Sequence, residues 1–219
     1  DELDGMAMNN ALEAARTAPA FGGQRPAIVI FPQGICRVNT SINATNLRGS
    51  AVELIFTGNF IRSSAAGKVA FDALGAQRRK ITNLTLWGDT GADAPKVGLQ
   101  VGRTDIAANN QSDSLTIDRA TVFGSFTQAA HQNFAGEQNV YIHPFFASDV
   151  AGSYALIMDG LNHWDFTSEY VTESAPTDTP QSFTENQLIG GEFRSGGGGA
   201  EGSATGSGAG AGMGCGAGT

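Results

Sequence analysis

The chain has 219 residues, 41% of them hydrophobic, and sets 13 basic residues against 21 acidic ones for a net charge of −8. That apolar content suffices for a packed core and excludes disorder of the whole chain, while the acidic balance excludes a nucleic-acid footprint, which needs clustered Lys and Arg to displace counterions from phosphates. No apolar run approaches the roughly 20 residues that span a bilayer, so no membrane insertion is expected.

Two cysteines, Cys36 and Cys215, stand far apart, outside any CxxC or Cys/His spacing. Neither a disulfide framework nor a zinc site is expected. His131, His143 and His163 have no metal-ligand spacing either, so the reading assigns no metal and no cofactor. Arg78, Arg79 and Lys80 form the one basic run, read as solvated surface. Asn43-Ala44-Thr45 and Asn83-Leu84-Thr85 fit the glycosylation sequon, a short pattern that arises often by chance. No signal peptide is expected from the opening residues, and Asp1 in place of Met fits a processed or partial chain, which leaves secretion open.

In chain order, the spacing first predicts a helix from Asp4 to Ala18. Asp4 is the expected N-cap, and Met8, Ala11, Leu12 and Ala15 make one apolar stripe. Pro19 and Gly22-Gly23 end it. Ile28 to Phe31, between Pro26 and Pro32, reads as a strand buried on both faces, followed by a turn at Pro32-Gln33-Gly34.

Beyond this point the chain is short strands and turns, and a self-match at intervals separates a solenoid from a sandwich. "ITNLTLWGD" at 81, "IDRATVFGS" at 117, "VYIHPFFAS" at 140, "FTSEYVTES" at 166 and "LIGGEFRSG" at 188 each carry an apolar residue first and another five positions later. The pairs are Ile81 and Leu86, Ile117 and Val122, Val140 and Phe145, Phe166 and Val171, Leu188 and Phe193. Each interval reads as one coil. A weaker echo, "KVAFDALG" at 68, "VGLQVG" at 97 and "YALIMDG" at 154, supplies a further strand closing on Gly. Gly, Asn and Asp at the corners suit sharp bends, because Gly and Asn tolerate positive φ. An end coil exposes its lumen, and the helix at 4–18 is suited to cover it. The fold class expected is all-β, a right-handed parallel β-helix with an N-terminal capping α-helix. Its parts are a cap and first coil (1–38), the solenoid (39–195) and a Gly-rich segment (196–219).

The opening "DGMAMNNALEAARTAP…GGQRPAIVIFPQGICRV" resembles that of the pectate-lyase-like superfamily. Asp4, Met8, Ala11 and Leu12 match its helix and Pro32, Gly34 and Val38 its turn, with Cys36 in place of the usual aromatic. The likeness covers residues 1–90 and continues as periodicity to about 195. It implies a right-handed β-helix in a group that includes pectinases, alginate lyases and phage tailspikes or fibres that bind bacterial surface polysaccharide.

Cleavage of a polysaccharide needs two carboxylates astride the glycosidic bond, or a base with a neutralising partner for β-elimination. Asp118, Asp165, Glu169 and Glu192 are the candidates, with His143, Arg119 and Arg194 near them in sequence. Outward polar residues occur on any strand, so a solvated face is the first reading of each. The paired-Asp, Gly-His-Gly, Trp-x-Asp-His and Arg-x-Pro-x-x-Arg segments typical of the superfamily's enzymes are missing, and "HWDF" at 163 lacks the His in place. No catalytic assignment follows. For binding, Trp87, Trp164 and Tyr141, with Arg119 and Arg194, are the candidates, since sugar C–H faces pack on rings. The functional expectation is a virion protein, a tailspike, tail-fibre or capsid-spike segment. It forms a homotrimer, contacts other virion proteins and engages host surface polysaccharide without cleaving it. A secreted polysaccharide lyase or hydrolase and a cell-surface adhesin are the alternatives.

Overall fold

The structure is a computed structural model that describes residues 2–17, 27–45, 47, 52–76, 79–102, 114–134, 138–159 and 186–196. Helix α1 (Glu2–Thr17) comes first. Strands then follow in coils of three. The first coil holds β1 (Ala27–Phe31), β2 (Gly34–Val38) and β3 (Ile42–Asn43), and the second β4 (Val52–Phe56), β5 (Asn59–Ser63) and β6 (Val69–Leu74). The third holds β7 (Lys80–Thr82), β8 (Thr85–Gly88) and β9 (Val97–Gly102), the fourth β10 (Thr116–Asp118), β11 (Thr121–Gly124) and β12 (Ala129–Phe134). The fifth holds β13 (Val140–Ile142), β14 (Phe145–Ala151) and β15 (Tyr154–Asp159), and β16 (Gln187–Ile189) with β17 (Glu192–Gly196) begins a sixth.

Equivalent strands of successive coils pair in parallel, giving a first sheet β1-β4-β7-β10-β13-β16, a second β2-β5-β8-β11-β14-β17 and a third β3-β6-β9-β12-β15. The chain is a parallel β-solenoid, as its periodicity predicts. Identical registers stack inward-facing side chains directly above one another. One column is Val29, Leu54, Ile81, Ile117, Tyr141 and Leu188. A second is Cys36, Ile61, Leu86, Val122, Phe146 and Phe193. A third is Ile42, Phe71, Leu99, His131 and Leu156. Burial of these columns is what drives the coils together, at about 1.5–3 kcal/mol for each fully buried large side chain.

The structure corrects several local expectations. Helix α1 begins ahead of Asp4, whose carboxylate lies in the first turn and accepts the Arg37 backbone N–H at 2.9 Å. Its buried face is Gly5, Met8, Leu12 and Ala15, covering the lumen at the first coil, whereas Ala11 is exposed. The apolar stripe is narrower than its residue types suggest. Strand β1 is buried on one face only: Val29 and Phe31 point inward, while Ile28 and Ile30 are 62% and 60% exposed. A solenoid wall has a wet side, unlike the parallel sheet of a doubly covered α/β fold. Arg79 is buried, not solvated; its Nε donates to the Leu47 carbonyl at 3.0 Å, and desolvation lowers its pKa to about 10. Lys80 beside it reaches Asp118 at 3.6 Å.

The alignment of coils also shifts in two places. In the fifth coil the inward residues are Tyr141 and Phe146, not Val140 and Phe145. A one-residue slip exchanges the two faces of a strand, and two adjacent phenylalanines hide it. Strand β16 pairs directly with β13, so the two coils adjoin; a rung beginning at Phe166 does not lie between them, and that segment falls outside the described residues. The weaker echoes at 68, 97 and 154 all fall on the third sheet, as β6, β9 and β15.

Corners between the first and second sheets are two residues long and repeat one device. Asn83, Arg119 and His143 hold φ of 58°, 54° and 47°, and Gly190 holds 65° in the next coil. Each turns the chain in the left-handed region, and the N–H of Asn83, Arg119 and His143 each donates to the coil above, at Asp118, Ile142 and Ile189 respectively.

Candidate functional site

The second sheet carries an unusual outer face. Alternation along β5, β8 and β11 turns Ile61, Leu86 and Val122 inward, which leaves Phe60, Arg62, Trp87 and Phe123 on the outside. Arg37, Arg62, Trp87 and Phe123 occupy one register line. The Trp87 and Phe123 rings lie 5.9 Å apart and within 10° of parallel, Phe60 meets Trp87 edge-on at 5.9 Å, and the Arg62 guanidinium sits 5.2 Å over Trp87. Higher on the same face, Arg194 lies 5.7 Å over Phe145. All four rings are half-buried; Phe60, Trp87 and Phe123 touch one another as a ridge of ring edges and faces along the solenoid axis, and Phe145 stands one coil further on.

Gly124 seats this ridge. It has φ of 110°, and a Cβ there would come within 2.2 Å of Trp87 Cδ1 and 2.5 Å of the Gly88 carbonyl. Only glycine both takes that backbone angle and leaves the indole its place.

At the foot of the ridge is an open cleft of about 520 Å³ lined by Arg37, Asn39, Arg62, Ser64, Asp89 and Asp93. Arg62 donates from Nε and Nη2 to one Asp89 oxygen, at 2.8 and 2.6 Å, and that partnership pushes its pKa up from an already high value. Two guanidinium groups, two carboxylates, a hydroxyl and an amide beside aromatic surface form a donor and acceptor set of the kind that orients polyhydroxylated ligands.

The residues singled out from sequence fare differently. Trp87 belongs to the ridge. Arg119 is an exposed corner residue that donates to Asp118 at 3.2 Å, on the first sheet and away from the cleft. Arg194 is exposed, paired with Glu192 and stacked over Phe145. Tyr141 is overturned as a surface contact: it points into the lumen with no exposure, because the register places it on the Ile117 column. Trp164, Asp165 and Glu169 lie outside the described residues. Asp118 and Glu192 are not brought together, for they occupy different sheets two coils apart, and each carboxylate is engaged by cations of its own, Lys80 and Arg119 for Asp118 and Arg194 for Glu192. His143 takes up a left-handed corner.

Sequence reasoning missed Phe60, Phe123, Arg37, Arg62 and Asp89. The signal for the rings was the alternation in "NFIRS" and "TVFGS", read for its inward residues only. Among the described residues no three His, Cys, Asp or Glu side chains are grouped to hold a metal, and no helix is long and apolar enough to cross a membrane. No protein-family model, curated protein or solved structure matches the chain.

Proposed function

We propose that this chain is the β-helical part of a virion attachment protein of the phage tailspike or fibre kind, which assembles as a homotrimer with other virion proteins and holds host surface polysaccharide without cleaving it. One observation carries the binding role: an aromatic ridge runs along the outer face of the second sheet and ends in the cleft formed by Arg37, Arg62, Asp89 and Asp93. Rings supply apolar contact area for C–H faces at low entropy cost, and the charged cleft supplies direction. The resemblance of the opening helix and turn to the pectate-lyase-like superfamily supports the choice of ligand class.

The test is affinity electrophoresis of the whole chain through gels loaded with bacterial capsular and O-type polysaccharides, with the same mixtures assayed for new reducing or unsaturated ends. Retardation by at least one polysaccharide, without new ends, is the expected result. A double substitution Trp87→Ala, Phe123→Ala weakens binding roughly ten- to hundredfold, matching about 1–3 kcal/mol for two lost ring contacts. Release of oligosaccharide, or retardation unchanged in the double variant, overturns the reading. Sedimentation under native conditions tests the trimer.

A further inference from the structure

We infer that the fourth to sixth coils form an acid-sensitive segment, which loosens as the medium acidifies while the second and third coils stay closed. The inference stands apart from the ligand and rests on what fills the lumen. In the third-sheet column, Ile42, Phe71 and Leu99 of the lower coils give way to His131, which has no exposure at all. In the neighbouring column Ala73 and Val101 give way to Asn133. Across the lumen Val29, Leu54, Ile81 and Ile117 give way to Tyr141.

These replacements form one network. His131 Nδ1 lies 2.9 Å from the Leu99 carbonyl, which makes Nδ1 the protonated nitrogen, so Nε2 accepts the Tyr141 O–H at 3.2 Å. Asn133 donates in turn to the Tyr141 oxygen. The Asn133 and Asn139 N–H groups both point to the Asn186 side-chain oxygen, at 3.4 and 3.0 Å, which ties in the sixth coil. His131 Nε2 and the Tyr141 hydroxyl hydrogen are paired with one another only in the neutral form of the histidine.

The walls offer a cation no counter-charge. Facing His131 are Leu99 from β9, Leu156 from β15, Phe146 from β14, stacked at 4.6 Å, and Tyr141 from β13. Tyr141 is the one titratable group among them and none is charged. Protonating Nε2 would turn an acceptor into a donor aimed at a hydroxyl that already receives Asn133, leaving the Tyr141 O–H without its acceptor.

Desolvation holds the His131 pKa down at about 3, against about 6.5 for an exposed imidazole. The native state therefore binds fewer protons than the opened one between these values, so the stabilisation is complete above 6.5 and is lost as pH falls through that window. At pH 5.0 the opening equilibrium of this segment rises roughly thirtyfold over its value at pH 7.5. Among the described residues of the lower coils, the one half-buried carboxylate with a shifted pKa acts in the opposite sense. Burial raises the pKa of Asp72 on β6, so its native form gains protons, and stability, as pH falls.

Hydrogen exchange of the whole chain, followed by mass spectrometry at pH 7.5 and 5.0 and corrected for intrinsic rates, decides the matter. Amides of β12 to β15 are expected to lose roughly thirtyfold protection at pH 5.0, while those of β4 to β9 lose none. In the double variant His131→Leu, Tyr141→Phe, which removes donor and acceptor together, the acid response of β12 to β15 is expected to vanish. Equal loss of protection in both halves of the wild-type chain overturns the inference, as does an acid response that survives in a folded double variant. The wild-type contrast alone suffices should the variant fail to fold.

Discussion

The lower and upper coils share one backbone plan and solve its interior differently. Below, hydrocarbon contact dominates the lumen, with Asn59 and Ser63 as its buried polar residues on β5: Phe31 stacks on Phe56 at 4.5 Å, and Phe56 meets Phe71 edge-on at 6.0 Å. Above, His131 takes the Phe71 column, Tyr141 the Leu54 column and Asn133 the Ala73 column, and the three are held by mutual hydrogen bonds. The solenoid demands volume and register, not a particular chemistry. A hydrocarbon lumen tolerates imperfect partners, since dispersion is not directional, whereas a polar one stands or falls on complete pairing.

The largest effect is expected at the seam between the two regions. Gly102 ends β9 at φ 122°, and a Cβ there would lie 1.9 Å from the Phe134 carbonyl oxygen of the coil above. Backbone, not a flexible side chain, is the obstacle, so Gly102→Ala must move β12 away from β9. A loss of about 4 kcal/mol, read from urea unfolding, is the expected outcome. Destabilisation below about 1 kcal/mol would show that the two regions can slide past one another.

Matched substitutions within each region sharpen the contrast. Leu54→Ala in the lower lumen removes packed volume and should cost about 3 kcal/mol at any pH. Tyr141→Phe in the upper lumen keeps the ring and removes only a hydroxyl, yet it strips His131 Nε2 of its donor and Asn133 of one of its acceptors, and should cost about 1–3 kcal/mol. Thermal unfolding at pH 7.5 measures both. A neutral Tyr141→Phe would mean that the upper network contributes nothing to closing the lumen.

How much of this was legible beforehand follows from the same physics. Period and architecture were readable because the inward residues of sheets one and two are large and apolar in nearly every coil, as with Ile81, Leu86, Ile117 and Val122. Strand β12, "AAHQNF", was not, since its inward residues include His131 and Asn133, and polar residues inside a lumen carry no hydrophobic signal. Tyr141 was misplaced for a related reason: Phe145 and Phe146 permit two phases of alternation, and the pairing of Tyr141 with Ile117 and of Phe146 with Val122 selects one. The outward direction of Trp87 could be argued from its own strand. The cleft could not, because Arg37, Arg62 and Asp89 are separated by a coil each and meet only when coils stack in register.

The smallest expected effect concerns a feature common to both regions, the left-handed corner. Arg119 occupies it at φ 54° in the fourth coil, where Asn83 does so in the third. A long unbranched residue finds this conformation costly, by roughly 1–2 kcal/mol relative to glycine, while asparagine offsets part of the cost through local hydrogen bonding. Against that gain stands the ion pair of Arg119 with Asp118, an exposed interaction worth little in water. Asp118 also keeps Lys80 at 3.6 Å. Arg119→Asn should therefore stabilise the protein by about 0.5 kcal/mol, seen as a small rise in the unfolding midpoint at unchanged denaturant slope. A fall in the midpoint would mean that the Arg119 side chain holds the corner more firmly than its backbone strains it, and the corner would then differ between coils as the lumen does.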